Sequence, residues 1–262
     1  MFVFLPPSEG KVAPAHRADS RLNLDALALP HVRDQRLQVL HALIEASGRD
    51  DAQQVLKVGS RVMGEVEANR RLLTAAAAPA YQIYTGVLFE ALEAHSLSAA
   101  KLQRAADHVL IFSALFGVTK LTDEIPAHRL SMGVGLSPFG DDRDPGRLGG
   151  FWRSALDGDL RETIGDQLVI DCRSAAYAAA FKPAPKQTLV VNSFTEKKGQ
   201  RKVVTHFAKQ ARGLLAGMLL RQPQLPSTMD EVAEIASAHW EVELRESTGK
   251  TPNQLDLIQR AE

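Results

Sequence analysis

The chain has 262 residues, 45% of them apolar and 24% charged, with 31 basic side chains against 31 acidic ones. That balance suits a soluble protein with a buried core, and it excludes a polycation, so any nucleic-acid affinity requires a local basic patch. One cysteine, Cys172, excludes an internal disulfide, and no signal-peptide pattern or membrane-length apolar run is present. A cytoplasmic protein is expected.

Residues 2–5, the apolar run FVFL, read as an interior strand stopped by Pro6 and Pro7. Leucines and valines at three- and four-residue spacing predict a helix over 25–46, ended by Gly48. Two shorter helices around Gly59 follow within 51–73, then the alanine-rich linker TAAAAPA and a β-like run over 81–88. A helix over 98–107 leads into VLIFSALFG, a buried strand stopped by Gly117. The Gly-, Pro- and Asp-rich stretch 125–150 reads as loop or short hairpin, and 150–164 as helix. LVIDCRS reads as a strand entering a helix over 175–181, and two β-runs joined by a charged turn at 197–200 make a hairpin. Helices over 208–221 and 227–238 and closing strands at 240–244 and 255–258 complete the chain. Strands and helices mix without a regular βαβ rhythm, which predicts an α+β fold, and no domain boundary stands out. One compact domain over 1–262 is expected, with a mixed sheet and surrounding helices.

Four stretches carry candidate chemistry. PPSEGK is not a phosphate-binding P-loop, because Leu5 and Val12 stand where that loop needs Gly and Ser or Thr. It is either a plain turn or a turn presenting the Ser8 hydroxyl, the Glu9 carboxylate and the Lys11 cation, with Gly10 allowing close backbone approach. Arg173 and Ser174 stand at a strand-to-helix junction, where Ser174 suits an N-cap and free N–H groups suit an anion; a capped helix with a surface arginine is the alternative. Lys209 and Arg212 share a helix face that binds an anion or is merely solvated. Gly213 and Gly217 allow another element to approach that helix closely. Finally, LKVGSRVMGEVEANRRLL has the outline of a helix–hairpin–helix, with Lys57, Gly59, Arg61, Arg70 and Arg71 as its backbone-gripping candidates. No metal-ligand cluster is visible, and no cofactor is expected.

Read together, PPSEGK, Tyr84-Thr85-Gly86, LIFSALFGVTKLTDEIPAHRLSMG, Phe151-Trp152, LVIDCRSAAY and HFAKQARGLL follow one another as in the YaaA family of bacterial peroxide stress proteins. The chain resembles that family over nearly its whole length. The resemblance implies a compact α+β fold with a positively charged cleft, a helix–hairpin–helix, binding to duplex or branched DNA, and protection against iron-driven oxidative damage. It places Ser8, Glu9, Lys11, Tyr84, Thr85, Arg129, Arg173, Lys209 and Arg212 at the cleft.

Two functions follow as expectations. One is a monomeric, DNA-binding stress protein. The other is an enzyme for a small anionic or nucleotide-like substrate. In it Glu9 acts as acid or base, Lys11 or Lys209 as electrophilic partner or nucleophilic amine, and Tyr84 as proton donor. Ser8, Thr85, Arg129, Arg173, Ser174 and Arg212 hold the anion.

Overall fold

The computed structural model describes residues 1–14, 20–136, 147–197 and 199–260. Strand β1 (Phe2–Leu5) leads, through a 3₁₀ turn at Pro30–Val32, to helices α1 (Arg33–Ser47), α2 (Ala52–Val55) and α3 (Met63–Asn69). Next come β2 (Ala78–Pro79), α4 (Ala80–Ile83), α5 (Val87–Leu92), α6 (Ala99–His108), β3 (Val109–Ser113), β4 (Gly117–Thr119) and β5 (Glu124–Ile125). Helix α7 (Leu148–Ile164) precedes β6 (Val169–Asp171), α8 (Ala175–Ala178), β7 (Thr188–Lys197) and β8 (Gln200–Lys202). The chain closes with α9 (Thr205–Arg221), α10 (Met229–Ser237), β9 (Glu241–Arg245) and β10 (Asn253–Arg260).

The fold is α+β, built on a mixed sheet in the order β4-β3-β1-β6-β7-β10-β9, with β8 paired to the end of β7. Its centre is parallel: β1 runs with β3 and β6, and β7 with β6 and β10. This explains why FVFL, VLIFS and VID are buried at every position and not at alternate ones, since their strands are covered on both faces. Antiparallel β4 and β9 close the two edges. A two-stranded pairing of β2 with β5 lies apart from the main sheet.

The core packs helices on these strands. Trp152 of α7 is fully buried and donates from Nε1 to the Ala114 carbonyl at 2.8 Å. Gly117 turns at φ +71° beside it, and a Cβ there would lie 2.6 Å from the indole, so both conformation and space demand glycine. Gly213 and Gly217 let α9 lie against α5, since a Cβ on Gly213 would come within 2.0 Å of the Leu88 carbonyl oxygen.

Some elements differ from the sequence reading. The β-like run 81–88 is mostly helical, split between α4 and α5 by Gly86 at φ +92°. Burial of Ile83, Leu88, Phe89 and Leu92 against neighbouring helices overrides its β propensity. The first long helix begins at Arg33 and not at residue 25, because left-handed Leu29 and Pro30 reverse the chain just before it. The helix after β6 is a single turn. The hairpin of β7 and β8 forms as expected. Residues 137–146, within the expected loop, lie outside the described residues. No described helix is long and apolar enough to cross a membrane.

Candidate functional site

The chain passes from β1 to β3 on one side and later to β6 on the other, so the sheet order reverses around β1. In open parallel sheets, ligands bind beyond the carboxyl ends of strands at such a switch point. PPSEGK leaves β1 at this place. Two prolines stop the strand, and the turn is then pinned to Tyr84-Thr85-Gly86. Lys11 bridges Tyr84, Val12 N–H donates to the Ile83 carbonyl at 2.9 Å, and Thr85 N–H donates to the Gly10 carbonyl at 3.1 Å. The Ser8 hydroxyl donates to the Thr85 carbonyl. A Cβ on Gly86 would stand 3.1 Å from Ser8 Oγ, and one on Gly10 3.0 Å from Thr85 Oγ1, so the two motifs are fitted to each other.

A cationic centre sits on this turn. Lys11 Nζ donates to the Ser8 carbonyl at 2.8 Å and lies 5.5 Å from the Tyr84 ring centre. Arg129 is held at its main chain by Asn69, which accepts from the Arg129 N–H at 2.9 Å and donates to its carbonyl at 3.0 Å. The Arg129 guanidinium donates to the Glu9 carbonyl at 3.0 Å and lies 3.6 Å from the Glu9 carboxylate and 3.5 Å from that of Glu65. Burial first, and then Arg129, pull Lys11 down to about 8, while Glu65 and Glu9 oppose the shift. Buried His128 accepts or donates at Nδ1 with the Pro126 carbonyl at 2.9 Å. Burial and the Lys11 charge push it down to about 3, so it is neutral at physiological pH.

Tyr84 presents its ring to Lys11, while its hydroxyl is buried beside Ser113 and Thr119, and burial raises its pKa. Tyr177, by contrast, brings its hydroxyl to Ser131 and the Met132 main chain, within the fields of Glu9 and Arg129, and burial raises it too. Glu65, Asn69, His128 and Tyr177 lie around Lys11 and Arg129 and are absent from the sequence-based set. The one sequence signal for Tyr177 is its place a turn beyond Ser174 on the same helical face; the other three have none, because α3 and the loop after β5 meet the PPSEGK turn only in the folded chain.

The remaining candidates are distributed differently. Arg173 is buried, donates to Asp171 from Nε at 2.8 Å and from Nη2 at 2.7 Å, and lies between the rings of Phe112 and Phe4 at 4.1 and 4.8 Å. Its Nη2 also donates to the Phe181 carbonyl at 3.0 Å, and its Nη1 has no hydrogen-bond partner among the described residues. Ser174 stands at the N-cap of α8, but its hydroxyl makes no capping bond. Arg212 donates from Nε to the Val191 carbonyl at 3.0 Å and bears on Cys172, whose thiol burial pushes up to about 12. Lys209 is exposed on the first turns of α9.

Around the α2–α3 turn, Lys57 adopts a left-handed conformation, φ +53°, and its Nζ donates to the Gly133 carbonyl at 3.3 Å. Gly59 is extended with open space beside it, Arg61 and Arg71 are exposed, and Arg70 pairs with Glu67 at 2.9 Å. Asn69 and Lys57 thereby tie this element to the loop carrying Arg129. Among the described residues, no group of three or more His, Cys, Asp or Glu side chains is placed to hold a metal ion.

Comparison with known proteins finds relatives over nearly the whole chain. A UPF0246 protein of Streptomyces coelicolor is 41% identical over 265 residues, covering 98% of both chains. One from Corynebacterium efficiens is 37% identical, covering 96% of this chain and 98% of the relative. One from a Marinomonas species is 27% identical over 92% and 94%. Residues 1–245 match the family profile described as peroxide stress protein YaaA, and the chain belongs to that family.

Proposed function

We propose that this peroxide stress protein acts in the cytoplasm as a monomer that binds the DNA backbone and so limits iron-driven damage there. The observation that carries the reading is the continuity of the α2–α3 turn with the cleft. Asn69 and Lys57 bond directly to the loop bearing Arg129, so Lys57, Arg61, Arg71, Arg129 and Lys11 lie along linked elements. Cations spaced on a rigid support match phosphates along a duplex or a junction. Protection then works at the DNA and not by holding iron.

Fluorescence anisotropy with duplex and four-way-junction DNA, across a salt series, tests this. Binding is expected to weaken steeply with salt, and Lys57→Ala, Arg61→Ala or Arg71→Ala each to lower the logarithmic slope by about one. Undetectable or salt-independent binding sinks the proposal.

A second reading is favoured by one feature, the amine of Lys11 held beside Arg129 at the switch point. There the cleft is the pocket of an enzyme for a small anionic ligand, with Ser8, Thr85 and Arg129 holding the anion. Thermal stabilisation by a sugar phosphate or nucleotide, absent in Arg129→Ala, supports it; no shift with any small anion removes it.

A further inference from the structure

Lys11 is an unusual lysine in its surroundings. It is half-buried at the end of PPSEGK, and its Nζ donates to a main-chain carbonyl, that of Ser8. Among the described residues, no carboxylate lies within ion-pair distance of it. The two nearby carboxylates, Glu9 and Glu65, are instead engaged by Arg129, a second cation whose charge bears on the lysine. Neutral His128 and the Tyr84 ring also face it, so the two carboxylates act on the amine only from beyond ion-pair distance. An amine bonded to one carbonyl, without a carboxylate in ion-pair contact and set beside another cation, has a larger free-base fraction than an ordinary lysine and is the better nucleophile for it.

We infer that Lys11 forms an imine with the carbonyl carbon of a phosphate-bearing aldehyde, Arg129 holding the phosphate. The inference rests on the enzyme reading of the cleft and is independent of binding to intact DNA. The Nζ lone pair attacks the carbonyl carbon, and the carbon–oxygen π electrons move to oxygen. Nitrogen loses a proton and oxygen gains one, giving a neutral carbinolamine. A second proton, taken from solvent and passed through the Glu9 carboxyl group, lets that oxygen leave as water while the nitrogen lone pair forms the carbon–nitrogen double bond. The N–H proton left on the iminium returns to the Glu9 carboxylate. Glu9, largely exposed and on the same turn, is placed to carry these protons. No oxidant or reductant is needed. Tyr177, its hydroxyl at Ser131 and the Met132 main chain, feels the charges of the same Glu9 and Arg129. Two sources present this chemistry: a free sugar phosphate in its open-chain form, and the ring-opened sugar of an abasic site within DNA.

The test is reductive trapping on the full chain. Ribose 5-phosphate, or a duplex oligonucleotide carrying one abasic site, is incubated with the protein and borohydride, and the adduct is located by peptide mass mapping. An adduct concentrated on Lys11 is expected, lost in Lys11→Met and in Lys11→Arg. The arginine variant keeps a positive charge on the turn, so it is expected to retain the wild-type melting temperature. The trapping rate is expected to climb up to about pH 8 and level off there, instead of rising toward the ordinary lysine range. Trapping with only one probe identifies the source. Absence of an adduct on Lys11 with both probes, or adducts shared evenly with exposed Lys57 and Lys209, overturns the inference. Intact-duplex binding measured on the same samples reports separately on the DNA proposal.

Discussion

Arg36 and Lys11 are both cations taken out of water, at two sites the fold treats in opposite ways. Arg36 on α1 is fully buried, and its guanidinium donates to the carbonyls of Phe116 and Val118, each at 3.0 Å, and to those of Leu29 and Ala28. Those acceptors come from the turn before α1 and from the β3–β4 hairpin, so one side chain stitches a helix, a turn and a sheet edge together. Lys11 has a single carbonyl and a neighbouring arginine. A buried cation that serves the fold is saturated with acceptors; one left short of them, on a half-buried turn, is the candidate for chemistry.

The strongest way to break this contrast is to remove Arg36. Arg36→Ala removes a donor from four carbonyls. Those of Leu29 and Phe116 still accept from the Val32 and Val118 N–H groups, while those of Ala28 and Val118 lose their Arg36 bond. At about 1–3 kcal/mol per acceptor left buried and unpaired, with the lost packing, a loss of about 4 kcal/mol is expected. A urea midpoint that hardly moves would show that the acceptors find water and that saturation is not what marks a structural cation.

The next effect is pH-dependent and sits on the cleft side. His128 is held neutral, its folded pKa about 3 against 6.5 in the unfolded chain. Below 6.5 the unfolded chain takes up the proton first, so this contribution is whole above pH 6.5 and is lost as pH falls toward 3. The loss amounts to about 3 kcal/mol by pH 4. Acid unfolding of His128→Gln is expected to lack that limb, and an unchanged acid profile would mean that His128 is protonated in the fold.

Lys11 gives the smallest stability effect and the sharpest test of the comparison. Its folded pKa of about 8 lies below the unfolded value of 10.5, so the unfolded chain binds the extra proton between those pH values. Wild-type stability should therefore rise relative to Lys11→Met from pH 8 to 10.5, with the difference constant outside that window. A difference that stays flat throughout would make Lys11 an ordinary surface lysine.

How far the sequence reached can be seen in particular residues. PPSEGK was legible as a turn at a strand end, because proline stops a strand whatever surrounds it, and Gly213 and Gly217 were legible as a close-packing stripe whose partner proved to be α5. The run 81–88 was misread, since short apolar segments carry too little periodicity to oppose what packing chooses. Arg173 looked like a surface arginine or an anion ligand; only the fold reveals Asp171, two residues earlier at the end of β6, taking its fork while Phe4 and Phe112 flank it.

By itself, the sequence determined the stops of β1 at Pro6 and of α1 at Gly48, the absence of an internal disulfide, and the ordered motifs that mark the family, all of which depend on local chemistry and chain order. Tertiary structure decided which cations are neutralised and which are not. Charge compensation depends on distances of a few ångströms between residues far apart in the chain, such as Arg129 with Glu9 and Glu65, and no spacing along the sequence encodes those distances.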